Sequence, residues 1–380
     1  RALLRERTAS LGLASEQDEA GNLWTLLPGR SAETLIVGSH LDAVPDGGPL
    51  DGALGVFAGV ELLRALAETG EPPQRTVALV DWADEEGARF GRSLLGSSAV
   101  AGTLDVAAVR HLTDSVGTRL PDALAQHGVE LAAVGDASVR LRDACAYLEL
   151  HIEQGPVLEA EGHAVAAVSG TLGVERLQLA FEGRAMHAGP TPMRHRRDAA
   201  LAAARTMLEV ERIAWRRRGR ATSGALRLRP GVATVVAGRA ELVVDLRHAE
   251  AESLAAMREQ TLMVARAAAA DNGCALRCEP LWRIEPRAFD ARLVEAVRAA
   301  CVAAGGRERP LVSGALHDAA EIALRVPAAM VFCASKGGIS HAPDEDTDER
   351  DLRVAIEVFG RVAALVAAGR HVPAREGAPC

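Results

Sequence analysis

Several apolar runs in this chain end on a group that can bind a metal ion. TLIVGSHLD leads to His40 and Asp42, TVALVDWADEEG to the pair Glu85 and Glu86, AYLELHIEQG to His151, and AMVFCASKGGISH to His341. GGPLDGALGVFAG places Asp51 where a helix is expected to start. Packing alone gives no reason for buried strands to finish repeatedly in an imidazole or a carboxylate. In an open α/β sheet, ligands collect beyond the carboxyl ends of the strands. The pattern therefore points to metal-dependent hydrolysis.

Each residue taken alone is weak evidence. His40 can ligate zinc or a similar ion, and Asp42 can accept its ring N–H and fix the tautomer. Asp51 is either a helix N-cap or a carboxylate with both oxygens turned to two ions, and the roles need not exclude each other. Glu85 and Glu86 repel each other unless cations neutralise them; such a pair lets one acid bind metal while the other moves protons. A lone His151 or His341 is more often structural. Together, three imidazoles and two carboxylates suffice for two ions sharing one water.

The elements that must position these groups alternate in type. Buried strands are expected at 34–38, 76–80, 146–150 and 164–168, with helices at 52–68, 94–101 and 157–160 between or after them. This alternation indicates an α/β fold with a doubly wound, mostly parallel sheet. After Gly173 the pattern changes. VERLQLAFEG alternates in a period of two, long helices cover about 197–217 and 250–270, and ATVVAG and AELVVDLRH read as strands paired around a Gly238 turn. That is an inserted α+β domain. The βα pattern resumes near Phe289, with helices at 290–304, 317–325 and 348–368 and strands at 310–312 and 328–332. His341 lies late and the other candidates early, so a shared site requires a discontinuous catalytic domain. The expected division is 1–173, an insertion at 174–287, and 288–380.

Composition bounds the alternatives. Asp plus Glu number 51 against 43 Lys plus Arg, a net charge of −8 that argues against a nucleic-acid partner. The RRRGR run at 216–220 is read as a solvated helix end. No uninterrupted apolar window is long enough for a membrane span. The six cysteines are scattered, without a CxxC pair, which suits reduced thiols and a cytoplasmic location. The chain starts without Met and runs directly into a helix-like pattern, so preceding residues are expected.

SHLDAVPDGGPLDGALGV, ADEEGARFGRSLLGSS, LELHIEQGPVLE, GRAMHAGPTPM, VVDLRH, SGALHDA and GGISHAPDE follow in that order. This set resembles the M20-type metal-dependent amidohydrolases, in particular the branch of N-carbamoyl-L-amino-acid hydrolases, allantoate amidohydrolases and β-ureidopropionases. The resemblance runs from about residue 20 to the last helix. It implies two divalent metal ions per subunit, zinc by default, with manganese, cobalt or nickel as alternatives. His40 and His151 would hold one ion, Glu86 and His341 the other, with Asp51 bridging and Glu85 as general base. The insertion would be a lid and dimerisation domain, so that His187 acts in the partner's site of a homodimer. Arg247 would bind the carboxylate of a small-molecule substrate, and Gln154 would contact it near the metals. The family's NVIPG reads TVVAG here, so Thr234 stands in place of a substrate-binding Asn and Ala237 in place of Pro. Lys336 adds a positive charge to the loop before His341. The implied reaction is hydrolysis of linear non-peptide C–N bonds, first of N-carbamoyl-L-amino acids, then of allantoate or β-ureido acids. An aminoacylase or dipeptidase stands behind these, because His151 occupies a position where such relatives carry an acid.

Overall fold

The structure, a computed structural model, describes residues 1–370; Cys380 lies outside them. The chain divides into two compact units, Arg1–Gly170 together with the chain from Ala288, and Thr171–Arg287.

The first unit is built on a sheet whose four central strands are parallel. Their spatial order is Arg75–Trp82, Ser31–His40, Ala144–Ile152 and Ala328–Cys333. Leu23–Leu27 adds antiparallel on one flank and Val165–Thr171 on the other. The central strands read as continuous apolar runs because both faces are covered. Leu35, Ile36, Val37, Val77, Leu79, Leu148 and Val331 are all buried. One group of packed helices comprises Ala53–Ala67, Ala291–Ala303 and Glu349–Ala367; another includes Leu95–Ala101 and Asp318–Ile322. Parallel strands end at the same edge. His40 is the last residue of its strand, His151 the penultimate of its own, and the segments carrying Glu85, Glu86 and His341 follow the other two.

The second unit is a four-stranded antiparallel sheet in the order Ala275–Ile284, Gly173–Glu182, Arg239–His248 and Arg220–Arg229. Leu177, Leu179, Phe181, Leu242, Val244 and Leu246 point to one side. There they form a core with residues of the helices Ala199–Arg217 and Ala251–Asp271. Asp198 caps the first of these helices by accepting from Ala200 and Leu201 N–H.

Three sequence expectations change here. The strands around Gly238 do not pair with each other: Val235–Val236 pairs with Met186–His187, while Arg239–His248 pairs with Gly173–Glu182 and Arg220–Arg229. The basic run is only partly a helix end, because Arg220 opens a ten-residue strand. Asp51 is not a helix N-cap, since the helix starts at Ala53 after Gly52.

Among the described residues Cys274, Cys278, Cys301 and Cys333 are free thiols. No helix among them is long and apolar enough to cross a membrane.

Candidate metal centre

Asp51 is the hub of the strand-end edge. Its Oδ1 lies 3.1 Å from His151 Nε2 and 3.6 Å from His40 Nε2, and its Oδ2 lies 3.2 Å from His341 Nε2. His341 Nε2 is also 3.4 Å from Glu86 Oε1. Two ligand groups result, His40–Asp51–His151 and Asp51–Glu86–His341, each with its donor atoms within 4.8 Å of one another.

Local structure explains how these groups are aimed. Gly52 has φ +65, and a Cβ there would lie 2.5 Å from the His40 ring, so only glycine lets the helix begin beside the imidazole. His40 Nδ1 donates to the Asp42 carbonyl at 3.0 Å and His151 Nδ1 to the Ile152 carbonyl at 2.9 Å. Both rings are thereby locked with Nε2 facing Asp51. The Asp42 carboxylate therefore does not orient His40 as its sequence position suggested; its Oδ1 is 3.8 Å from that ring nitrogen. It accepts instead from Glu85 N–H at 3.2 Å and Glu86 N–H at 3.0 Å, which fixes the turn carrying both acids. Glu345 does comparable work across loops. Its Oε1 accepts from Leu50 and Asp51 N–H, and its Oε2 accepts from the Ser340 hydroxyl at 2.8 Å.

The electrostatics follow the geometry. Burial alone would raise the pKa of Asp51, but His151, His40 and His341 hold it well below the usual carboxylate range. Burial opposes protonation of His151, yet Asp51 and Glu149 outweigh it and push the pKa up to about 9. Burial and the neighbouring His151 lower that of His40. The Asp51–His151 pairing therefore favours the protonated imidazole. Glu85 is only 5% exposed, with Oε2 3.8 Å from His40 Nε2. Burial, then Asp318, Glu86, Asp42 and Glu149, raise its pKa well above the usual value. Such a carboxyl takes up a proton readily.

The donor set fits divalent cations. Imidazole nitrogens and carboxylate oxygens suit zinc, manganese, cobalt or nickel. Among the described residues Glu86 Oε1 is buried without a hydrogen-bond partner, as expected of a group shaped for a ligand. Gln154 stands beside the second group, its Nε2 donating to Asp51 Oδ2 at 2.7 Å. Gln154 and His341 both have φ 56. Holding non-glycine residues there costs about 1–3 kcal/mol each, and such strain clusters at ligand sites.

Glu149, not singled out from the sequence, lies under the centre. It accepts from the Ser39 hydroxyl, the Tyr147 hydroxyl and Ala319 N–H, and forms a third buried group with His151 and His317. Its signal was the strand period of two, which turns Glu149 to the same side as His151.

The remaining candidates lie in the second unit. The strand pair sets Val235 opposite His187, and the Thr234 carbonyl accepts from Ala188 N–H, so His187 and Thr234 are near neighbours. Gly189 N–H donates to His187 Nδ1, which leaves Nε2 of the exposed ring to carry the ring proton. Arg247 Nε donates to Asp245 Oδ1 at 2.8 Å near the end of its strand.

Comparison with known proteins agrees with this picture. Residues 36–365 match the model of Peptidase family M20/M25/M40. An N-carbamoyl-L-amino acid amidohydrolase of Geobacillus stearothermophilus is 37% identical over 94% of this chain and 88% of its own length. An allantoate amidohydrolase of Bacillus subtilis is 32% identical over 94% and 87%. The crystal structure of an amidase of the hydantoinase/carbamoylase family from Burkholderia multivorans superposes with a TM-score of 0.90 at 33% identity, covering 97% of this chain and 90% of that one. The chain is a metal-binding hydrolase of C–N bonds and belongs to Peptidase family M20/M25/M40.

Proposed function

We propose that this protein hydrolyses N-carbamoyl-L-amino acids to the amino acid, carbon dioxide and ammonia, using two divalent cations. The observation that carries the reading is Asp51, whose two oxygens face two separate ligand groups beside a buried Glu85. His40 and His151 would hold one cation and Glu86 and His341 the other, with Asp51 available to both. When bound, such cations polarise the substrate carbonyl and acidify water toward neutrality. Zinc is the default, with manganese, cobalt or nickel also suited to the donors.

The chain's own residues do the rest. Glu85 accepts a proton as water attacks the carbamoyl carbon, then returns it to the leaving nitrogen. Arg247 binds the substrate carboxylate with a fork held by Asp245. Binding energy far from the reacting carbon thereby positions it. Gln154 and Thr234 contact the substrate. The protein acts in the cytoplasm as a homodimer through residues 174–287, the inserted lid of a catalytic domain formed by 1–173 and 288–380. His187 from one subunit donates its Nε2 proton to the developing oxyanion in the other. The experiment is a purified Glu85→Gln variant with metal content measured. Near-wild-type ammonia release from carbamoyl amino acids by a fully loaded variant removes Glu85 from the base role.

A second reading, allantoate hydrolysis, is favoured by the relatives of that activity in Bacillus subtilis and Escherichia coli. Ammonia release from a panel of both substrate classes separates the two.

A further inference from the structure

In the second unit, the sheet face opposite the helices carries a cavity of about 580 Å³. Arg176, Asp245 and Arg247 reach it because they alternate along their strands with Leu177, Val244 and Leu246, which face the helices. Arg220 enters from the neighbouring strand. Three guanidinium groups thus share one cavity with a single carboxylate.

That carboxylate is fully engaged. Arg176 donates from Nε and Nη2 to Asp245 Oδ2 at 3.0 and 2.7 Å, and Arg247 Nε takes Oδ1. Arg176 also stacks on Trp282, 5.2 Å from the ring centre. Arg220 is different. The strand register sets it directly opposite Arg247. No side-chain hydrogen bond or ion pair engages it among the described residues. Like charges in directly opposed positions destabilise a sheet. The arrangement becomes favourable when an anion lies between them. The cavity beside Arg220 is also roomy, since Gly224 and Ala225 line it and a Cβ on Gly224 would meet nothing within 4 Å.

We infer that the preferred substrates carry a second carboxylate, as N-carbamoyl-aspartate and N-carbamoyl-glutamate do, and that Arg220 binds it. This rests on the reading that Arg247 takes the α-carboxylate. Arg220 is then a specificity residue with no part in the bond-breaking step. A planar fork suits a carboxylate better than a lysine ammonium does, so lysine should preserve the preference only in part.

The test compares kcat/KM for N-carbamoyl-L-aspartate and -glutamate with that for N-carbamoyl-L-alanine and -leucine, in wild type, Arg220→Gln and Arg220→Lys. The wild type is expected to favour the dicarboxylates at least tenfold, mainly through KM. Arg220→Gln should reduce that ratio about tenfold, and Arg220→Lys should restore part of it. A wild type that favours neutral side chains, or an Arg220→Gln variant with an unchanged ratio, overturns the inference. If no carbamoyl substrate is turned over, the proposed reaction fails and binding decides the inference alone. Calorimetry on metal-free protein then compares N-acetyl-L-glutamate with N-acetyl-L-alanine. Tighter binding of the former that Arg220→Gln abolishes supports an acidic-side-chain site, and equal binding overturns it.

Discussion

The two ligand groups that share Asp51 are built differently. His40 and His151 are ring-locked at the ends of adjacent parallel strands, with side chains 2% and 1% exposed. Glu86 and His341 come from a turn and a loop, and the His341 side chain is 47% exposed. The sheet holds one half rigidly, while the other half depends on loop contacts such as the Ser340–Glu345 hydrogen bond. Sites built on strands are more exact than sites built on loops. The buried half should therefore bind its cation more tightly and release it more slowly.

Replacing the shared residue should have the largest effect. Asp51→Asn is expected to empty both halves and to abolish measurable ammonia release, with metal counted by mass spectrometry. Retention of one full equivalent would mean the halves are independent and Asp51 is not shared. Glu85→Gln should keep both cations and still lower kcat about 10²–10⁴-fold, the usual worth of a general base. The comparison sharpens with single-half variants. His341→Ala should retain close to one cation per chain under dialysis, whereas His151→Ala should lose the tightly held one. Equal loss from both variants would break the rigid-versus-open distinction.

The pH dependence is smaller and has a definite sign. Asp51 and Glu149 push the pKa of His151 up to about 9, above the ordinary 6.5. Its pairing with Asp51 thus stabilises the metal-free fold fully below about 6.5, and this contribution is lost as pH rises through about 9. A cation must displace that proton, so affinity at the buried half should fall about tenfold per pH unit below 9. The melting-temperature gain on adding zinc should accordingly widen from pH 6 to 9. A gain that narrows over that range would place the proton elsewhere.

Much of this architecture is legible in the chain because the central strands are buried on both faces. Runs such as TLIVG and AAMVF carry no competing signal, and parallel strands deliver their following residues to one edge. Arg220–Arg229 and Ala275–Ile284 gave no such signal. They are the outer strands of the small sheet, largely exposed, and their charged residues erase the period of two. Asp42 illustrates a different limit. Its proximity to His40 in sequence suggested a contact with that ring, but its partners are decided by a turn with Asp84 at φ 53, forty residues further on. Glu345 was invisible for the same reason, since its role exists only when two distant loops meet.

Glu345 also supplies the smallest predicted effect and the finest test of the open half. Glu345→Gln can keep the Oε1 contacts to Leu50 and Asp51 N–H, because an amide oxygen accepts as a carboxylate does. At the other end an NH2 group replaces the oxygen that accepts from Ser340. The Ser340 hydroxyl, next to His341, loses this acceptor and is left with Asp51 Oδ2 at 3.2 Å, while the His40 and His151 rings keep theirs. Losing an orienting partner typically costs 10–100-fold in metal affinity. Here the loss should lie near the lower end and fall on the weaker cation alone, seen in titration as a shift of the second step with the first unmoved. A shift of the first step would mean that the strand-end half also depends on the loops, and the contrast between the two halves would dissolve.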